Sequence, residues 1–311
     1  MNGQTMGTTY SIKIVRQHAN TKKLKIQFRI DSVLIDINKK MSTYLDDSEL
    51  TKFNNSKDTN WIKVSQDLVI VISQALEVSE ASGGFYDITV GPLVNLWGFG
   101  PVFKNKKIPS PDEIEERKKS IGYHNILVDV ENSKIKKKKK NIYCDLSSIA
   151  KGYGVDKVAM LLERVGIKNY MVEIGGEVKT KGKNAKNEKW RIGIATPTNV
   201  GLQNIVNLSN YSMATSGDYL NYFEENGVRY SHTINPKTGK PITHKLASVS
   251  VIHDECSYAD AFATAIDVMG PEKGYKFALQ RNLPIFMIVR ENNSFVEKMT
   301  PQFKNFITKG K

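Results

Sequence analysis

Short apolar runs in this chain come in pairs ahead of single amphipathic helices, and nowhere do strand and helix alternate regularly. That order favours an α+β fold with largely antiparallel sheets packed by helices. Ile26, Ile30, Val33, Leu34 and Ile37 recur at helical spacing, as do Leu68, Val71, Ile72, Ala75 and Leu76 ahead of Gly83-Gly84. A third stripe runs through Val155, Val158, Ala159, Leu162 and Val165, with Ser147 or Ser148 as the expected cap and Gly166 just past its end. An alanine-rich fourth helix spans 256–270, and a fifth begins at Pro271. Strands are expected at 8–15, 126–130, 170–174, 190–195, 248–252 and 284–289. Helix and strand signals continue from end to end with no repeat and no linker, so 1–311 is read as one domain.

The formal charge of +13 leaves three kinds of anionic partner open: nucleic acid, a membrane surface or a phosphate-bearing ligand. The excess is nearly all lysine, and no basic run is interleaved with stacking aromatics, which argues against a nucleic-acid groove. The densest run, Lys136 to Lys140, follows a strand and a turn and is expected as the exposed strand of a hairpin. Cys144 and Cys256 are too few for a disulfide framework and are expected as buried free thiols. No stretch of about 18 apolar residues is present to span a membrane. No signal peptide is visible, so the protein is either cytosolic or separated here from an export segment.

Four segments carry residue types suited to chemistry. Asp260 and Thr264 lie four apart on the fourth helix and share one face. Hard oxygens of that kind suit Mg²⁺, although the same spacing also describes an ordinary solvated face. The 145–156 segment feeds a helix start, where free N–H groups bind phosphate, and Gly152 and Gly154 allow close approach of a ligand or are small residues at a packing contact of an ordinary capped helix. In the glycine-rich 83–100 segment, Phe85, Tyr86, Trp97 and Phe99 could line a slot for a flat ring or simply pack in the core. His232, just before an Asn-Pro turn, is a candidate proton carrier or a structural histidine. There is no Gly-x-Ser-x-Gly elbow and no zinc spacing of Cys and His.

Together these segments resemble the ApbE family of FAD:protein FMN transferases. The resemblance rests on Met6-Gly-Thr-Thr-Tyr10, on 41–50 with Phe53-Asn54, on 84–100, 145–156, Glu173-Ile-Gly-Gly176, Ala214-Thr-Ser-Gly-Asp-Tyr219, 232–239 and 259–264, in family order over about residues 5 to 290. It implies one ApbE-type, T-fold-like domain that uses Mg²⁺ to split FAD and to place its FMN half on a Thr or Ser hydroxyl of an acceptor protein, releasing AMP. By resemblance, Asp260 and Thr264 are side-chain metal ligands and Ala150 offers a backbone carbonyl. Met6, Tyr44, Phe85, Tyr86, Asp87, Ser147, Tyr153 and the His232-Thr233-Ile234 segment belong to the FAD pocket. His232 is the proposed general base, and Asp260 is counted as catalytic beside it. Ala263 stands where some members carry a second Asp, which puts a second protein-held metal in doubt. The resemblance also implies a lipoprotein at the periplasmic face of the inner membrane, acting on a subunit of a membrane redox complex. A Mg²⁺-dependent FAD pyrophosphatase and a non-catalytic FAD-binding protein are the alternatives.

Overall fold

The computed structural model describes residues 1–15, 23–100, 108–196, 202–217, 222–225, 228–292 and 294–307. Its centre is an eight-stranded sheet, antiparallel at every pairing. The strands run in the order Asn2–Thr5, Thr8–Ile14, Tyr170–Ile174, Glu177–Lys181, Ser212–Gly217, Leu246–His253, Ile285–Glu291 and Ser294–Met299. The helices are α1 Lys23–Met41, α2 Glu49–Asn55, α3 Gln66–Ala81, α4 Gly91–Leu96, α5 Pro111–Lys118, α6 Ala150–Arg164, α7 Cys256–Met269 and α8 Pro271–Gln280. The expected α+β architecture is therefore present, and the five helices read from sequence correspond to α1, α3, α6, α7 and α8.

Leu246–His253 is buried along nearly its whole length because both faces of the sheet are covered there. On one face Leu246, Val249 and Val251 pack with Ala261, Ala265 and Ile266 of α7 and with α3. On the other, Ala247 and Ile252 meet Trp190, Ile192, Val206 and Leu208 from the hairpin of Trp190–Ala195 and Leu202–Leu208. α7 is thus apolar on most of its circumference, and its small alanines let it lie close to the sheet and to α6.

Three short helices carry no long stripe, although α5 announces itself locally: Ser110 and Glu113 form a capping box around Pro111. Neither Ser147 nor Ser148 caps α6. The Ser148 hydroxyl donates to Tyr86 Oη at 3.0 Å, and the helix starts at Ala150 with no side-chain cap. The basic run also departs from expectation, since its strand is Lys134–Lys137 and Lys137 is fully buried. Its ammonium donates to the carbonyls of Phe53 (2.9 Å) and Asn54 (3.1 Å), which α2 leaves unpaired at its end. Cys144 and Cys256 are buried free thiols, as expected. No helix among the described residues is long and apolar enough to cross a membrane.

Candidate active site

α7 delivers Asp260 to the floor of a cavity of about 380 Å³. Two contacts with α6 fix its position. Gly152 packs directly on the α7 start: a Cβ there would lie 2.7 Å from the Cys256 carbonyl carbon and 2.8 Å from Ser257 Cα. Asp156, one turn further along α6, accepts from the free N–H groups of Cys256 (3.1 Å) and Ser257 (2.9 Å), and so caps α7 from outside. With the two helices in contact, Gly152 N donates to Asp260 Oδ2 at 3.1 Å. Thr264 opens on the same cavity one turn on.

The charges around Asp260 are unbalanced. Lys151 lines the cavity and its ammonium lies 2.6 Å from Glu177 Oε1. Burial pushes the Asp260 carboxyl above the ordinary carboxylate range, against the opposing pull of Lys151 and the Gly152 N–H. Glu177 is likewise pushed up, by burial and then by the neighbouring Asp260. Burial disfavours the Lys151 charge, but Asp260 and Glu177 outweigh it and hold the amine protonated. Two buried acids share one base, and Glu177 Oε2 has no hydrogen-bond partner.

The walls come from distant parts of the chain. Tyr44, Phe85, Tyr86, Asp87, Ser147, His232, Ile234, Asp260 and Thr264, all singled out from sequence, line this one cavity. Tyr44 is 67% exposed and sits at the rim. Both Asp87 oxygens are engaged inside the protein, with Thr89 and with the Tyr123 N–H, so its carboxylate shapes the loop that presents Phe85 and Tyr86. His232 packs edge-on against Phe99, ring centres 6.4 Å apart. Phe99 lines the cavity but Trp97 does not: its indole N–H donates to Gly239 O, and it stacks on Tyr230 in the core.

Met6, Ala150 and Tyr153 are not among the lining residues. Met6 has a left-handed backbone (φ 50°), and its Cε would lie 3.1 Å from a Cβ placed on Gly154 of α6. The Tyr153 hydroxyl donates to Asp67 at 2.6 Å, in a network with Lys157 and Lys40. Ala150 opens α6 beside the lining residue Lys151, with its own N–H given to Leu146 O at 2.8 Å. Thr233 of the expected 232–234 segment also lines the cavity, whereas sequence reasoning passed over Lys151, Thr215 and Ser216, which line it too. All three lie inside segments already quoted as motifs, so proximity to the glycines was the signal available. Asp218 and Tyr219 of the 214–219 motif lie outside the described residues.

Residues 6–287 match the model of the ApbE family. The chain is 43% identical to the FAD:protein FMN transferase of Haemophilus influenzae, covering 98% of this chain and 90% of that protein. It is 37% identical to the Escherichia coli protein of the same name, covering 100% and 90%. The solved flavin transferase ApbE from Vibrio cholerae superposes with a TM-score of 0.92 at 41% identity, over 99% of this chain and 98% of that one. The apo form of Pseudomonas stutzeri flavinyl transferase ApbE gives 0.92 at 36% identity, over 100% and 96%.

Proposed function

The chain belongs to the ApbE family, and from that premise we propose that it moves FMN from FAD to a Thr or Ser hydroxyl of an acceptor protein and releases AMP. One observation carries the reading: a single cavity brings together an aromatic wall, a cationic amine, a buried carboxylate and a histidine. The aromatic wall suits the flavin ring, and Lys151 is placed to meet diphosphate oxygens.

The residues around Asp260 fit Mg²⁺. Asp260 and Thr264 present hard oxygens to one space, and a cation there would offset the burial that disfavours the ionised Asp260 carboxylate. Among the described residues no cluster of three or more His, Cys, Asp or Glu forms a metal cage, and Mg²⁺ is commonly held by one or two carboxylates plus water and substrate phosphates. Asp260 and Thr264 would hold the ion; the Ala150 carbonyl, which the resemblance implies as a third donor, belongs to a residue beside the cavity lining, not in it. When bound, it supplies charge neutralisation on the phosphoryl oxygens. His232 takes the proton from the acceptor hydroxyl. That oxygen bonds to the FMN phosphorus, the bond from phosphorus to the bridging oxygen breaks, and AMP leaves with the electron pair. We further infer, from the resemblance, that it acts at the periplasmic face of the inner membrane on a redox-complex acceptor.

Incubation with FAD, Mg²⁺ and a candidate acceptor subunit tests the reading. Flavin bound covalently to the acceptor supports it. FMN plus AMP with unmodified acceptor would make the protein a pyrophosphatase, and intact FAD would make it a binding protein.

A further inference from the structure

α7 carries a second acid that the proposed chemistry does not use. Asp267 lies seven residues after Asp260 and three after Thr264, so the three follow one another along a single stripe of the helix. It is fully buried. Its Oδ2 accepts from the Ser216 hydroxyl at 3.0 Å and from the Thr233 hydroxyl at 3.3 Å. Its backbone carbonyl accepts from His244 Nε2 at 2.6 Å. Residue 267 therefore ties three separate chain segments to the helix that presents Asp260. Ser216 and Thr233 both line the cavity, and Thr233 directly follows His232.

A buried carboxylate is costly unless its hydrogen bonds do something that an apolar residue at the same place would not. Packing alone would be served at 267 by an aliphatic side chain, as it is next door by Val268. What the carboxylate adds is a fixed distance between the His232–Thr233 segment and α7. We propose that Asp267 is a positioning residue, which sets His232 against the Asp260–Thr264 face through the Thr233 hydroxyl. The inference rests on the transferase reading of the cavity, and it concerns the geometry between proton acceptor and phosphoryl site.

The test is a double-mutant cycle of Asp267→Asn and Thr233→Val, with Thr233→Ser as the conservative control. Turnover of FAD at saturation, FAD affinity by flavin fluorescence and thermal stability are read for each. Each single variant is expected to lose about ten- to hundredfold in turnover, the scale of a small misplacement of reacting groups, with FAD affinity within about twofold. The double variant should be no slower than the slower single, and Thr233→Ser should keep most of the rate. Additive losses in the double variant, or variants that lose stability or FAD affinity at unchanged turnover, overturn the proposal. A crystal structure of Asp267→Asn gives a reading independent of activity: displacement of residues 232–233 from α7 supports the tether, and an unmoved segment overturns it. Wild-type protein that neither transfers nor cleaves FAD refutes the functional reading instead, and the crystal structure still decides the tether.

Discussion

Gly152→Ala should damage the site through a single methyl group. The added Cβ would lie 2.7 Å from the Cys256 carbonyl carbon and 2.8 Å from Ser257 Cα, and all the atoms it meets are backbone. Carbon atoms rest at roughly 3.5–4 Å, so the start of α7 must retreat from α6 by about 1 Å. Overpacking of this kind costs about 1–3 kcal/mol, and Ala in place of Gly in a helix returns up to about 1 kcal/mol. The net loss of about 1–2 kcal/mol should lower Tm by about 1.5–3 °C in a chain of 311 residues. The larger effect is on function. A shift of that size stretches the 3.1 Å bond from Gly152 N to Asp260 beyond hydrogen-bonding range. Misplacement by about 1 Å can cost on the order of 10²-fold in rate. Calorimetry and FAD turnover measure the two effects. Gly154→Ala is the control on the same helix, because its Cβ would meet mainly the flexible end of Met6 at 3.1 Å. If Gly152→Ala matches wild type in both Tm and turnover, the α6–α7 contact does not position Asp260.

Asp260→Ala should abolish turnover while FAD still binds through its rings, and His232→Ala should slow transfer by about 10²–10⁴-fold with FAD affinity nearly intact. Near wild-type transfer by either variant removes that residue from the chemistry. Lys137→Ala strands the buried carbonyls of Phe53 and Asn54 and should cost about 2–4 kcal/mol in urea unfolding; a surface-like change within about 0.5 kcal/mol would contradict its burial. For Asp67, burial alone would raise the carboxyl, but hydrogen bonds from Lys157, Lys40 and Tyr153 outweigh it and hold the group below its ordinary range. A carboxyl depressed in the folded state stabilises above its unfolded pKa and loses that contribution as pH falls through its folded one. The stability gap between wild type and Asp67→Asn should therefore be full at neutral pH and shrink in acid, and a gap independent of pH would refute the network.

The helices that bury a stripe were legible because periodicity is local: Ile26 to Ile37 and Leu68 to Leu76 needed no knowledge of their partners. That Asp260 and Thr264 share one helix face was legible for the same reason, and both line the one cavity. What could not be read were bonds between residues far apart in the chain. Ser148 caps nothing because its hydroxyl is taken by Tyr86, 62 residues away. Lys137 belongs to a charged run yet is buried because Phe53, 84 residues earlier, offers it a carbonyl. Tyr153 was grouped with the flavin pocket through its motif, but its hydroxyl is committed to Asp67. Motif membership located the right segments without telling which side chain of each faces the cavity.

The proposed transfer depends on where FAD lies. A crystal soaked with FAD and Mg²⁺ tests this directly. The diphosphate should lie against Asp260, Thr264 and Lys151, with the flavin ring on the wall formed by Tyr44, Phe85 and Tyr86 and His232 facing the phosphorus on the FMN side. Density for FAD elsewhere, such as the cleft beside His244 and Glu272, or a diphosphate turned away from Asp260, would contradict it.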